Sequence, residues 1–287
     1  MTDRSRIALL LAPALIILGG LFLTGLGLTL LRSLHYAPAL GQTRPDLSAY
    51  TAILTSPGFL KSLALSLWIA SASTLIAASL AAATALLLRQ TFPGRALISF
   101  LVQLNLTIPH IVGAIGILYL VSQSGSFARL SYAAGLITGP QDFPALTHDP
   151  FGIGIILLYV WKELPFITLI LLANLQTLGE DHEATARTLG ATRWQAFRFV
   201  LLPMLMPGLA AASALVFAFA FGAYEVPLVL GAHAPKALPV LAWQAWTGTD
   251  LTTRPEATAM AVLIALIGLA LLFLYARFLR IGANDAG

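Results

Sequence analysis

EDHEATARTLGATRWQAFRFVLLPMLMP, residues 180–207, carries dense charge of both signs between long apolar runs. Its charge order is helical. Glu180, Asp181 and Glu183 stand where a helix would begin, and carboxylates favour that positive end. Arg187 follows Glu183 by four residues, the favourable order for an acid–base pair on one helix face. Gly190 then reads as the residue that ends the helix. Beyond it Trp194, Phe197 and Leu201 form an apolar stripe with Arg193, Gln195 and Arg198 off it, as on a short amphipathic helix. Pro203 and Pro207 are expected to close this second arm before the next apolar run. The stretch predicts a folded helix–turn–helix knob between two membrane spans. A helix lying on lipid headgroups is the alternative reading of the same pattern.

The surrounding composition requires a bilayer. Of 287 residues, 58% are hydrophobic and 10% are charged, and the mean hydropathy is +0.86. Soluble domains carry about 25% charged residues. The fold class is therefore an all-α integral membrane protein. Cysteine is absent, which excludes disulfides, thiolate metal sites and cysteine nucleophiles. The net charge of +4 does not imply a nucleic-acid partner, because the cations lie at the ends of apolar runs, where they orient a chain in the bilayer.

Six spans are expected, at about residues 7–31, 63–88, 96–121, 151–175, 208–230 and 257–275, with the charged knob in a loop at 176–207 and the whole chain, 1–287, as one transmembrane domain. The first run is longer than the apolar core of a cleavable signal and reads as an uncleaved span. With the N-terminus inside, Arg4, Arg6, Arg89, Arg95, Arg187, Arg193, Arg198, Arg277 and Arg280 are cytoplasmic, nine cations. Arg32, Arg44, Lys61, Arg129, Lys236 and Arg254 are outside, six cations. The bias has the expected direction and puts the knob and both termini inside. Fourth-residue ladders of small side chains, Ser62, Ser66, Ala70, Thr74, Ala78 and Ala82 in span 2 and Ala210, Ala214, Ala218 and Gly222 in span 5, predict ridges for close helix packing. Trp243 and Trp246 read as interfacial anchors.

Polar residues inside the spans are the candidate pathway. Span 3 holds Gln103, Asn105, Thr107 and His110 around Pro109, which frees a backbone carbonyl. Span 4 holds Lys162 and Glu163 just before Pro165. About 100° apart on a helix, these two take separate partners or bend toward one another at the proline. Tyr224 and Glu225 end span 5, and Glu225 reads as a second buried acid, to be balanced by Lys236 or Arg254. For each residue, helix–helix bonding and solute contact or gating are both open readings.

The missing chemistry narrows the field. No GxxxxGK[ST] loop is present to cradle ATP phosphates, and no HExxH or GxSxG motif occurs. His35, His110, His148, His182 and His233 show no ligand spacing, so neither a catalytic residue nor a metal site is expected. A transporter component fits, whether ATP-driven or an ATP-independent secondary transporter or channel subunit.

The run Glu183–Ala184–Thr185–Ala186–Arg187–Thr188–Leu189–Gly190–Ala191, followed by Phe197, Leu202–Pro203 and Pro207, resembles the "EAA" loop of permease subunits in binding-protein-dependent ABC importers. One position departs: the family glutamate stands six residues before the glycine, which is Ala184 here, and Glu183 is one residue further out. Trp161–Lys162–Glu163–Leu164–Pro165 resembles span 4 in the polyamine, iron and phosphonate branch. The resemblance implies a type I permease of a bacterial inner membrane, not itself an enzyme. It implies coupling to an ATPase through Glu183, Ala184, Ala186, Arg187, Gly190, Ala191, Trp194, Phe197 and Pro203, with Gly190 and the Trp194–Phe197 face carrying more of the docking than the acid. It implies a pathway lined by Asn105, His110, Lys162, Glu163, Tyr224 and Glu225. The implied partners are two ATP-binding subunits holding ATP and Mg, a second permease subunit (in a hetero- or homodimer, the heterodimer favoured) and a periplasmic or lipid-anchored solute-binding protein. No cofactor falls to this chain, and the solute is a small polar molecule such as a polyamine or phosphonate.

Overall fold

The computed structural model describes residues 3–36, 38, 43–178 and 181–284, and no strand occurs among them. In chain order the helices are α1 (Asp3–Ser33), α2 (Ser48–Thr55), α3 (Pro57–Leu88), α4 (Arg95–Leu104), α5 (His110–Val121), α6 (Ser126–Ala133), α7 (Ile153–Leu178), α8 (Asp181–Thr188), α9 (Arg193–Ala196), α10 (Leu202–Gly222), α11 (Glu225–Leu230), α12 (Leu238–Thr247) and α13 (Arg254–Asn284). Six stretches among the described residues are long and apolar enough to cross a membrane: Leu9–Ser33, Pro57–Leu88, His110–Ala133, Ile153–Thr177, Arg193–Gly222 and Leu251–Leu274. The all-α, six-span class holds. Gly179 and Glu180, the entry to the knob, lie outside the described residues.

The chain divides into two compact units. One joins Met1–Leu60 to Leu241–Leu266. Between Ile7 and Leu31 its α1 is apolar except at Thr24 and Thr29, and most of its large side chains are exposed, the pattern of a helix whose solvent is lipid. Ser33 Oγ and the Tyr50 hydroxyl share a hydrogen bond of 2.8 Å. The guanidinium carbons of Arg32 and Arg254 lie over the Trp246 ring, 5.4 and 5.1 Å from its centroid. The tryptophan read as an interfacial anchor is therefore also a cation–π platform.

The other unit, Lys61–Val240 with Ile267–Gly287, carries the features the sequence singles out. Its core cluster joins Ala77, Ala81 and Ala85 of α3 to Ile167 and Leu171 of α7 and to Leu201, Leu205, Ala212 and Val216 at and along α10. The small ladder of α3 is buried at Ser62, Ser66, Ala70 and Thr74. The buried row then moves to Ala77, Ala81 and Ala85, leaving Ala78 and Ala82 half-buried. Each four-residue step overshoots a full turn by about 40°, so a straight seam must drop back one residue. On α10 the same correction is larger. The buried ridge is Leu205, Ala212, Val216 and Ala220, whereas Ala210, Ala214 and Ala218 are half-buried and Gly222 is exposed. The close approach of α10 to α7 occurs at Gly208, where a Cβ would meet Asn174 Nδ2 at 1.7 Å.

Prolines reset the expected span limits. Pro57 opens α3 ahead of the expected start near residue 63, at a position that needs no helical N–H donor. Span 3 is not one helix over 96–121. α4 tightens into a 3-10 turn at Asn105–Thr107, Ile108 is extended before Pro109, and α5 starts at His110. Span 5 is corrected in the opposite sense. Pro203 and Pro207 do not close the knob, because α9 passes through a π-helical segment, Phe197–Leu201, directly into α10. There the Leu202 N–H reaches back to the Phe197 carbonyl, a five-residue step that carries the chain past Pro203. α13 likewise starts at Arg254 and continues through Arg277 instead of ending near residue 275.

The connector after α5 folds into α6 and a single 3-10 turn, Pro140–Asp142. Asp142 Oδ2 accepts from the Thr138 hydroxyl at 2.5 Å, the Thr138 N–H at 2.8 Å and the Gly139 N–H at 3.1 Å. The Thr138 hydroxyl foremost, and then its N–H, hold this exposed carboxyl below its ordinary 3.8. A depressed folded value means that the stabilisation is complete above 3.8 and is lost as the pH falls through the lowered value. Hydrogen exchange at 138–143, corrected for intrinsic rates, is expected to accelerate only below 3.8, and Asp142→Asn is expected to remove that pH dependence. Equal acid sensitivity in the variant would contradict this account.

Candidate functional site

The knob is built from two short arms and a fixed turn. α8 ends with the Gly190 N–H on the Arg187 carbonyl at 3.0 Å and the Ala191 N–H on the Ala186 carbonyl at 3.1 Å. That pair of bonds is the Schellman closure, and it requires Gly190 in the left-handed region, where its φ is +94°. The second arm starts one residue later. Thr192 Oγ1 accepts from the Gln195 N–H at 3.2 Å, and Gln195 Oε1 accepts from the Thr192 N–H at 2.8 Å. This capping box was legible as Thr192–Arg193–Trp194–Gln195, a pattern that the sequence reading passed over.

The tip is apolar and open. Leu189 is 84% exposed, Trp194 67% and Phe199 71%. The Trp194 and Phe197 rings lie 5.6 Å apart, and Phe197 packs against the α3–α7–α10 core. Ala184 and Arg187 are exposed, Ala186 and Ala191 are half-buried, and Pro203 is exposed on the continuing helix. Glu183 does not pair with Arg187. It takes Arg89 at 2.5 Å, and both side chains are mostly covered, which outweighs the few tenths of a kcal/mol (about 0.2–0.5) of an exposed four-residue pair.

The second constellation is a reciprocal clasp around two prolines. Pro165 lies inside α7 and has no N–H for the Trp161 carbonyl four residues back. The Asn105 side-chain amide donates to that carbonyl. Pro109 in turn offers no N–H to the Asn105 carbonyl. That carbonyl keeps a 3-10 bond from the Ile108 N–H at 3.2 Å and accepts from Lys162 Nζ at 2.7 Å. Lys162 also donates to the Ile108 carbonyl at 2.7 Å, and the residue is 4% exposed. Each helix break is thus satisfied by a side chain from the other helix.

Lys162 and Glu163 therefore have separate partners. His110 Nε2 lies 3.1 Å from Glu163 Oε1, with the imidazole N–H donating to the carboxylate. The His110 ring is 4.8 Å from that of Phe219, which meets Tyr159 edge-on at 6.3 Å. Tyr159 is fully buried, and its hydroxyl has no hydrogen-bond partner among the described residues. The sequence reading missed it, although it stands one turn before Glu163 on α7. Glu225 is corrected from buried to exposed. It opens α11, whose positive end suits a carboxylate, and Tyr224 beside it is also exposed. α11 packs on α5 and α7, the helices that carry His110 and Glu163. Among the described residues no three acidic or histidine side chains gather as a metal site.

A chain of six apolar spans, interrupted by a stiff polar knob and a buried polar clasp, has the architecture of a membrane transport component. Residues 74–281 match the family described as binding-protein-dependent transport system inner membrane component, and the chain belongs to that family as a multi-pass inner-membrane protein. It is 29% identical over 188 residues to the sulfate transport system permease protein CysT of Escherichia coli, covering 66% of this chain and 64% of that one. It is 28% identical over 233 residues to the molybdenum transport system permease protein ModB of Mycobacterium bovis, covering 80% and 83%. The chain spans just under two thirds of the sulfate relative and 34% of a thiamine permease that it also matches. The fold is similar to that of a bacterial ABC transporter involved in the import of the acidic polysaccharide alginate, with a TM-score of 0.77, 18% identity, and coverage of 97% of this chain and 96% of that one.

Proposed function

We propose that this chain is the permease subunit of an ATP-driven importer and forms half of its translocation pathway. The observation that carries the reading is the stiff, apolar-tipped knob, whose second arm is continuous with a membrane span from Arg193 to Gly222. The chain has no phosphate-binding loop of its own, so the knob acts through another chain. Two cytoplasmic ATPase subunits, a second permease subunit that is not a copy of this one and an external solute-binding protein complete the complex. The cation bias along the sequence favours the knob and both termini on the cytoplasmic side. Closure of the ATPase pair on ATP and Mg pushes the Leu189–Ala191 turn. Because no flexible joint separates α9 from α10, the push becomes a tilt of the span.

Among the candidate pathway residues, Asn105 and Lys162 are committed to the clasp. His110, Tyr224 and Glu225, with more open surface, are the better solute contacts, and Glu163 orients His110. The named solutes of the relatives, sulfate and molybdenum, lend no support to a polyamine or phosphonate. The solute is a small polar molecule selected upstream by the binding protein.

Reconstituted with its ATPase and binding protein, the wild-type complex is expected to lose uptake when the partner's phosphate-loop lysine is replaced, and to keep it when an uncoupler collapses the proton gradient. The reverse pattern would identify an ATP-independent carrier.

A further inference from the structure

We infer that Arg89 and Glu183 form an internal strap that ties the first arm of the knob to α3, so that Glu183 positions the knob instead of docking on a partner. The inference rests on the transport reading above and adds a positioning residue, Arg89, to it. Arg89 is the first residue after α3, and its N–H still bonds the Ala85 carbonyl at 3.0 Å. Glu183 sits in the first turn of α8. Each charge therefore faces the helix end that favours it, a cation at a C-terminus and an anion at an N-terminus. Arg89 Nη2 lies 2.5 Å from Glu183 Oε2, and the two side chains are 30% and 25% exposed. A carboxylate so engaged is not presented to another chain, whereas Arg187, four residues on, stays exposed.

The mechanical consequence follows from where α3 goes. Its Ala77, Ala81 and Ala85 belong to the same core cluster as α7 and the start of α10. The second arm enters that core through the continuous helix, and the first arm reaches it through the strap. Held at both arms, the knob transmits a push on its turn to α3 and α10 together. This also gives a reason for the displaced glutamate. At residue 183 the acid reaches inward to Arg89, while residue 184, the family position, is an exposed alanine.

The test is a charge swap in the full chain, assembled with its ATPase and binding protein in proteoliposomes, reading solute moved per ATP hydrolysed. Arg89→Glu and Glu183→Arg are each expected to lower that ratio about tenfold, the equivalent of one lost ion pair of this coverage. The double variant is expected to recover most of it, and Arg89→Lys to retain more than Arg89→Gln. A double variant no better than the worse single would overturn the strap and put Glu183 against another chain. Wild-type ratios in both singles would overturn it as well. If the reversals fail to insert, equal losses in Arg89→Lys and Arg89→Gln count against the pair. Absent ATP-driven uptake by the wild type would sink the transport reading instead. The strap is then judged on thermal melts of the isolated full chain, where additive single variants overturn it and compensation in the double supports it.

Discussion

Gly190→Arg is expected to leave the chain inserted and folded while abolishing ATPase-coupled uptake. The folded chain itself offers little resistance to the change, since no atom lies within 4 Å of where a Cβ would stand. The intramolecular cost is conformational: a φ of +94° imposes about 1–2 kcal/mol on a residue with a Cβ. That strain falls on an exposed turn and does not reach the buried faces of α3, α7 and α10. The functional cost is larger because the turn is the tip of the lever. A long cation there separates Leu189 and Trp194 from any apolar groove that receives them. Central apolar anchors at interfaces are worth about 2–4 kcal/mol, a loss of roughly thirty- to a thousandfold. Gly190→Asn, which tolerates the left-handed region, is expected to keep most of the coupling. Normal binding-protein-stimulated ATP hydrolysis in Gly190→Arg would remove the turn from the coupling role.

The contrast between Gly190 and its neighbours shows what a sequence exposes. A glycine that ends a helix is a local event, legible from the few residues around it, and its left-handed backbone follows. The six apolar spans are equally local, as are the two arms of the knob. Proline rules describe ideal α-helix and therefore misplace the limits of the second arm. A π-helical segment at Phe197–Leu201 shifts the bonding and lets the helix pass Pro203. The Glu183–Arg187 pair was the best local partner for that acid, and a partner 94 residues away displaced it. Glu225 follows an apolar run and so reads as buried, yet α10 ends at Gly222 and leaves the acid at an exposed helix start. The clasp lies between these cases. Pro109 and Pro165 mark in sequence the carbonyls they release, at Asn105 and Trp161. Only the fold shows that each release is met from the other helix.

That reciprocity makes Lys162→Met the second large effect, this time on stability. Methionine keeps the apolar stem and removes the ammonium. The Ile108 carbonyl then loses its hydrogen-bond donor, and the Asn105 carbonyl is left with a 3-10 bond of 3.2 Å. Unsatisfied buried acceptors cost about 1–3 kcal/mol each, and hydrocarbon offers no water to replace the donor. Relief from burying a charge offsets part of this, which leaves a net loss of about 2–4 kcal/mol. For a chain of this size that is a fall of roughly 5–15 °C in the melting temperature in detergent. Asn105→Leu is expected to cost less, about 1–2 kcal/mol, because it strands only the Trp161 carbonyl. The two losses separate by rescue. Pro165→Ala returns an N–H to α7 at the step that serves Trp161, so it is expected to restore Asn105→Leu and to do nothing for Lys162→Met. Glu163→Gln keeps an acceptor for His110 and is expected to shift the melt little while altering transport. Rescue of both Asn105→Leu and Lys162→Met by Pro165→Ala, or of neither, would break the link between each proline and the side chain assigned to its carbonyl. The difference between the two melts is the measurement that decides it.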